Sequence, residues 1–265
     1  GTIMMHLDNE GKVGIGTDDP DNLLHLAKIY TTAWPFTADV SDTYAYTPYP
    51  HELQIQNHAR GVDGSFAGIY FHSGAAADGS KMATARIAAV DSGDYKSDLV
   101  FGTRSTNFRE RLRINSDGRV LIGHNSARII STTVNPFFQL EGTNYNAALS
   151  VVRNSANGPG PYIILGKSRN ASVGGSTILQ DNDVLGSIRF AGADGVDMAQ
   201  YGAEISVLVD GTPGADSMPG EMIFRTNTGS GNPTEKLRIT KQGIVSINDS
   251  TPESWATLQI KNHTT

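Results

Sequence analysis

Three histidines, His51, His58 and His72, stand near Glu52 and Asp63 in the chain. Imidazole and carboxylate together are the ligand types of a zinc-like site, but such a site needs three or four donors that converge. These spacings fit no established ligand pattern, so the expectation is structural or surface histidines. One histidine per chain on a threefold axis would also make a metal site, and His6 beside Leu7 is the candidate for that arrangement. Asp181, Asp183, Asp194 and Asp197 form a carboxylate-rich stretch. Two carboxylates would suit glycoside hydrolysis or calcium. Asp is also the ordinary turn residue, and without EF-hand spacing turn chemistry is the expectation. No Ser, His and Asp stand in a nucleophile context, and no Gly-rich loop precedes a helix. Neither catalytic residues, nor a cofactor, nor a bound metal is expected.

The aromatic stretch from Tyr30 to Pro50 offers different chemistry. It contains Trp34, Phe36, Tyr44, Tyr46 and Tyr49, and it holds one of the two Trp and four of the nine Tyr residues. Such rings stack on sugar faces, so a contact with host-surface glycan is one reading. Packing of the insertion onto its own module or a neighbouring chain is the other, because an irregular insertion of this length needs anchors.

The elements that would position these residues are strands. Apolar residues alternate with period two in Leu53-Gln54-Ile55, Ile69-Tyr70-Phe71, Leu99-Val100-Phe101, Ile188-Arg189-Phe190, Ile205-Ser206-Val207 and Met222-Ile223-Phe224. Each pattern marks a strand with one buried face. No window keeps helical periodicity over three turns. Asp19-Pro20-Asp21-Asn22-Leu23 and Ser250-Thr251-Pro252-Glu253-Ser254-Trp255 would each make one helical turn at most, then run into Leu24-His25-Leu26 and Leu258-Gln259-Ile260.

One pattern occurs three times: Leu7-Asp8-Asn9-Glu10-Gly11-Lys12-Val13, Ile114-Asn115-Ser116-Asp117-Gly118-Arg119-Val120 and Ile239-Thr240-Lys241-Gln242-Gly243-Ile244-Val245. Each reads as a hairpin whose loop ends on a left-handed glycine, Gly11, Gly118 or Gly243. Fixed-period self-similarity marks a repetitive architecture. The internal alignment divides the chain into the end of a preceding module with its link strand (1–26), the aromatic insertion (27–51), a first β module (52–123), a linker (124–137), a second β module (138–248) and the start of a next module (249–265). The second module is expected to carry two extra strands, around Leu149–Val152 and Tyr162–Leu165. Since Gly1 stands inside a repeat, the chain is expected to be a segment of a longer protein.

Composition narrows the partners. Against 21 Lys+Arg stand 27 Asp+Glu, a net charge of −6 in 265 residues. Clustered cations are what nucleic acid or an anionic membrane would require. The densest basic run, Phe108-Arg109-Glu110-Arg111-Leu112-Arg113, reads as the solvated faces of one strand. No apolar stretch approaches the ~20 residues of a membrane span. There is no cysteine, so disulfides and thiolate metal sites are excluded. A lone two-stranded ribbon is marginal in water. Covering four apolar side chains such as Leu112, Ile114, Val120 and Ile122 is worth roughly 6–12 kcal/mol. Threefold association would cover them and remove sheet edges.

Gly11-Lys12-Val13-Gly14-Ile15-Gly16-Thr17-Asp18-Asp19-Pro20 followed by Leu24-His25-Leu26 resembles the repeat of bacteriophage tail fibres. The stretch from Gly186 to Ile205, then Val209-Asp210-Gly211-Thr212-Pro213-Gly214, Met218-Pro219-Gly220-Glu221-Met222-Ile223-Phe224 and Glu235-Lys236-Leu237-Arg238-Ile239, is similar to a shaft module of the same fibres. The resemblance leaves out roughly 27–51 and 124–137. It implies an all-β protein of repeated antiparallel sandwich or prism modules joined by hairpin repeats, intertwined as a homotrimer. It also implies a virion component at the particle surface, with other fibre or tail proteins as partners. Many such fibres end in a self-cleaving intramolecular chaperone, and no residue here matches one. The expected function is a structural segment that spans distance and supports host attachment. The alternatives are a glycan-binding module acting through the aromatic insertion and a polysaccharide depolymerase.

Overall fold

In the computed structural model, which describes residues 5–15, 19, 23–26, 62–75, 82–94, 96–130 and 134–262, every regular element is a β-strand. Two units are present. The first, Gly1–Gln56, contains a three-stranded sheet of β1 (His6–Leu7), β2 (Val13–Ile15) and β3 (Leu24–Leu26). β1 and β2 are antiparallel, and β3 joins β2 in parallel.

The second unit, Asn57–Thr265, carries two open six-stranded sheets in simple sequential order. The first sheet is β4 (Phe66–Ala75), β5 (Met82–Gly93), β6 (Lys96–Arg104), β7 (Phe108–Ile114), β8 (Val120–Ile122) and β9 (Phe138–Leu140). The second is β10 (Val184–Ala191), β11 (Tyr201–Val209), β12 (Gly220–Thr226), β13 (Thr234–Ile239), β14 (Val245–Ile247) and β15 (Leu258–Ile260). Each is an antiparallel meander closed by one parallel strand. β9 therefore completes the first sheet, although the sequence alignment placed residue 138 at the opening of the second module.

The three repeated turns share one geometry. Gly11, Gly118 and Gly243 have φ of 84°, 77° and 80°. Each donates its N–H to the carbonyl at the turn's first residue, Asp8, Asn115 or Thr240, and that residue's N–H bonds back across the loop. The first residue's side chain adds a further bond. Asp8 accepts from the N–H groups of Glu10 and Lys12, Asn115 from those of Asp117 and Arg119, and Thr240 from that of Ile244. The polar residue that opens the turn is thus as much a part of the motif as its glycine.

The crossover into each parallel strand is built alike. Gly123 and Asn248 both have positive φ, and their N–H groups bond the carbonyls of Arg111 and Lys236. A Cβ at Gly123 would collide with the Glu141 carbonyl oxygen, whereas one at Gly118 would meet open space. A left-handed backbone costs a non-glycine residue about 1–2 kcal/mol. Gly118→Ala should therefore lose about that much in denaturant melts. Gly123→Ala should lose at least about twice as much, because the parallel strand must also shift. Equal losses would show that the Glu141 contact is not restrictive.

Gln139 and Gln259 occupy the centres of the two parallel strands. Gln139 accepts from the Arg128 N–H and donates to the Arg128 and Pro136 carbonyls and to Asn135. Gln259 accepts from the Glu253 N–H and donates to Asp249. Each amide pins its crossover link over one face of the sheet. The link at Ser250–Trp255 forms a single turn, with the Ala256 N–H on the Glu253 carbonyl, and no helix.

Leu149–Val152 and Tyr162–Leu165 are not strands, which corrects the expectation of a two-strand insert. Both runs are apolar, but no described strand of the chain pairs with them.

Candidate functional site

The aromatic insertion, with Trp34, Phe36, Tyr44, Tyr46 and Tyr49, lies outside the described residues, as do His51, Glu52 and His58. His72 sits on β4 with its ring 4.5 Å from that of Tyr70. His6 lies on β1 opposite Gly14. Among the described residues no three His, Asp or Glu side chains are grouped as a metal site.

The four aspartates are separately engaged. Asp183 holds Arg169 through both oxygens at 2.6 and 2.8 Å and accepts the Gln180 N–H. The guanidinium lowers its pKa to about 2. Asp181 accepts the Gly211 N–H. Asp194 accepts those of Val196 and Asp197, and these bonds lower its pKa, while Asp197 accepts from Ala199. These bonds are turn and loop chemistry.

The basic run behaves differently from its sequence reading. Arg109 and Arg111 are exposed, but the Arg113 side chain is only 13% exposed. It pairs through two nitrogens with Glu110 and through a third with Asp98 at 2.5 Å. Arg238 repeats the arrangement with Glu235 at 2.9 and 2.7 Å and Glu221 at 2.6 Å. In a regular strand, residues three apart face opposite ways. A bulge at Arg111 and at Lys236 restores the match, since Leu112 and Glu110 oppose Phe101 and Gly102, and Leu237 and Glu235 oppose Phe224 and Arg225. Hydrogen bonds donated to Glu110 and Glu235 raise the two arginine pKa values further. Burial raises Glu221 above the ordinary carboxylate range despite Arg238 beside it.

A third ionic group, around Glu204, joins it to Arg189, Arg225 and Ser187, while Arg225 also bonds Ser206. These charges share a face with four of the five most enclosed side chains, Leu121, Ile223, Ser206 and Ser246, while the fifth, Val209, stands at the end of β11 on the side of Ile205 and Val207. The polar face is therefore the one that a single chain covers.

The opposite face is apolar, and apart from Val209 at the end of β11 its rows are half-buried or exposed. Register places Ile69, Ile87, Phe101, Leu112, Ile122 and Leu140 in one row across the first sheet. Ile188, Ile205, Phe224, Leu237, Ile247 and Ile260 make the equivalent row in the second. Neighbouring rows run from Leu99 through Ile114 and Val120 to Phe138, and from Met222 through Ile239 and Val245 to Leu258. No member of these rows is buried, and Phe138, Ile188, Leu258 and Ile260 are 54–64% exposed. Contiguous apolar surface of this kind marks an interaction site.

No family model matches the chain, and no curated protein matches it. Solved structures do, two of which are of one phage fibre. One is the carboxy-terminal domain of the bacteriophage T5 L-shaped tail fibre, at a TM-score of 0.58 and 11% identity, covering 83% of this chain and 95% of that one. The chain has the fold of a phage tail-fibre domain. The other is the same T5 domain with its intra-molecular chaperone domain, at a TM-score of 0.55 and 11% identity, covering 77% of this chain and 64% of that one. At this identity the likeness is one of strand arrangement.

Sequence reasoning missed one further group. Phe108 of β7 lies over Gly102, whose Cβ would strike its ring. The Arg86 guanidinium stands 4.3 Å from the Phe66 ring centre and 4.8 Å from that of Phe108, and the Tyr70 ring is 6.2 Å from Phe108. Such cation–π contacts are worth ~0.5–1 kcal/mol each at exposed sites. The alternation of Phe66, Tyr70 and His72 along β4 was the available signal. Only the pairing of Tyr70 with Arg86, and of Arg86 with Gly102, reveals the group.

Proposed function

We propose that this chain is a structural segment of a phage fibre, a virion component whose three copies associate through the apolar rows of their sheets. The rows carry the reading. Each sheet presents an apolar face that one chain leaves open, while its ionic face is already covered. Three copies arranged about an axis cover three such faces at once. The tail-fibre fold supports the assignment to a phage particle.

In this role the protein spans distance, joins other fibre or tail proteins, and supports attachment to the host surface. Three weak surface contacts on one rod gain strength because the second and third are intramolecular. Light scattering on the purified chain should give the mass of three 28.3 kDa copies at micromolar concentration. A folded monomer would overturn the reading.

A further inference from the structure

The segment from Leu149 to Leu165 combines three properties. None of residues 149–167 makes a backbone–backbone hydrogen bond to any described residue. Leu149, Val152, Tyr162, Ile163 and Ile164 are 71–84% exposed. The segment carries a single charge, Arg153, which bonds Asn157 within the same stretch. Two apolar, strand-like runs joined by the Gly- and Pro-rich link Asn157-Gly158-Pro159-Gly160-Pro161 thus lack backbone pairing among the described residues, and most of their apolar side chains are exposed.

Resting on the association proposed above, we infer that residues 149–165 form an exchange arm whose two runs complete their backbone pairing on a second copy of the chain. The occupant follows from where the arm ends. Leu165 packs against Gly186 of β10, where a Cβ would press into its side chain. Gly186 lies opposite Val207, in the neighbouring apolar row of the second sheet. The arm therefore runs into the border of the open apolar face, beside the free edge of β10, which pairs only with β11 among the described strands. In closed symmetry a neighbouring copy offers the same face and the same edge. A nearly uncharged arm matches that surface, and an extended segment gains affinity from main-chain pairing at an edge. The missing side chain at Gly186 lets Leu165 approach β10 this closely.

Amide hydrogen exchange on the purified full chain tests this, because no other protein is there to supply a partner. Unpaired amides exchange at the rate of an unstructured peptide, and paired ones slow in proportion to the opening free energy. The expected result is an assembled protein in which residues 149–153 and 162–165 exchange at least about 100-fold slower than unstructured peptide. In assemblies refolded from light and heavy isotopic chains, cross-links from Lys167 should join light to heavy. An assembled protein with fast exchange in the arm would overturn the arm while leaving the association standing. A slow arm in a monomer, or cross-links confined within one isotope, would show the arm closing on its own chain and overturn the inference. A monomer with a fast arm would overturn the association on which it rests.

Discussion

Replacing Phe138 by Asp should dissociate the assembly and leave each chain folded. Phe138 sits at the parallel edge of the first sheet, on the apolar face, and is 55% exposed in a single chain. A carboxylate there meets water as long as the chain is alone, so the substitution costs the isolated fold about 0.5 kcal/mol or less. In an assembly that covers the apolar rows the same carboxylate is buried without a partner. Fully burying a large apolar side chain is worth roughly 1.5–3 kcal/mol, so completing the burial of a half-exposed one is worth about 1. A buried unpaired charge costs several kcal/mol. One Asp thus cancels about three apolar side chains in every copy. At about 3 kcal/mol per copy the association constant should fall roughly 100-fold for each buried carboxylate. Sedimentation should show monomers where the parent chain sediments as a trimer, with an unchanged far-UV spectrum. Asn107→Asp, at the exposed turn between β6 and β7, adds the same charge and should leave the trimer intact. If Phe138→Asp assembles as the parent does, the apolar rows are not the interface.

Legibility in the sequence ended where pairing began. The period-two alternation and the repeated turns are local properties, and the all-β architecture follows from them. The expected two-strand insert failed for the complementary reason. Leu149–Val152 and Tyr162–Leu165 are short apolar runs like those of buried strands, but such a run does not say whether its own chain supplies the pairing partner. Gln139 and Gln259 repeat at the centres of their strands, yet their role depends on a link that folds back over them. Arg113 was hidden by a bulge. Counted along the strand, it faces away from Glu110, and only the extra residue Arg111 turns the two side chains to one side. The polar residue that opens a turn was hidden in another way, since Asp8, Asn115 and Thr240 share an acceptor and not a residue type.

Arg238→Met should be the most damaging single change on the covered face. Its guanidinium is 18% exposed and holds two carboxylates, Glu235 and Glu221, of which Glu221 is 5% exposed. Removing the cation leaves both acids facing each other in a site that already resists charge, because burial raises Glu221 even with Arg238 present. Breaking a buried pair from one side costs about 3–5 kcal/mol. A loss of about 3 kcal/mol is expected in denaturant melts at neutral pH, taking the partial exposure into account. The pH dependence identifies the cause. A carboxyl group whose folded pKa is raised favours the protonated form in the fold. Its penalty is absent below its unfolded value, near 4.5, and develops as pH rises through the raised folded value. The deficit of Arg238→Met relative to the parent should therefore be small below that pH and grow above it. Glu221→Gln introduced together with Arg238→Met should recover part of the loss, since the amide is neutral at every pH and leaves Glu235 as the sole charge. Arg109→Met, on an exposed arginine of β7, should change stability by less than about 0.5 kcal/mol. A deficit independent of pH would mean that Arg238 contributes through packing of its stem and not through the carboxylates it joins.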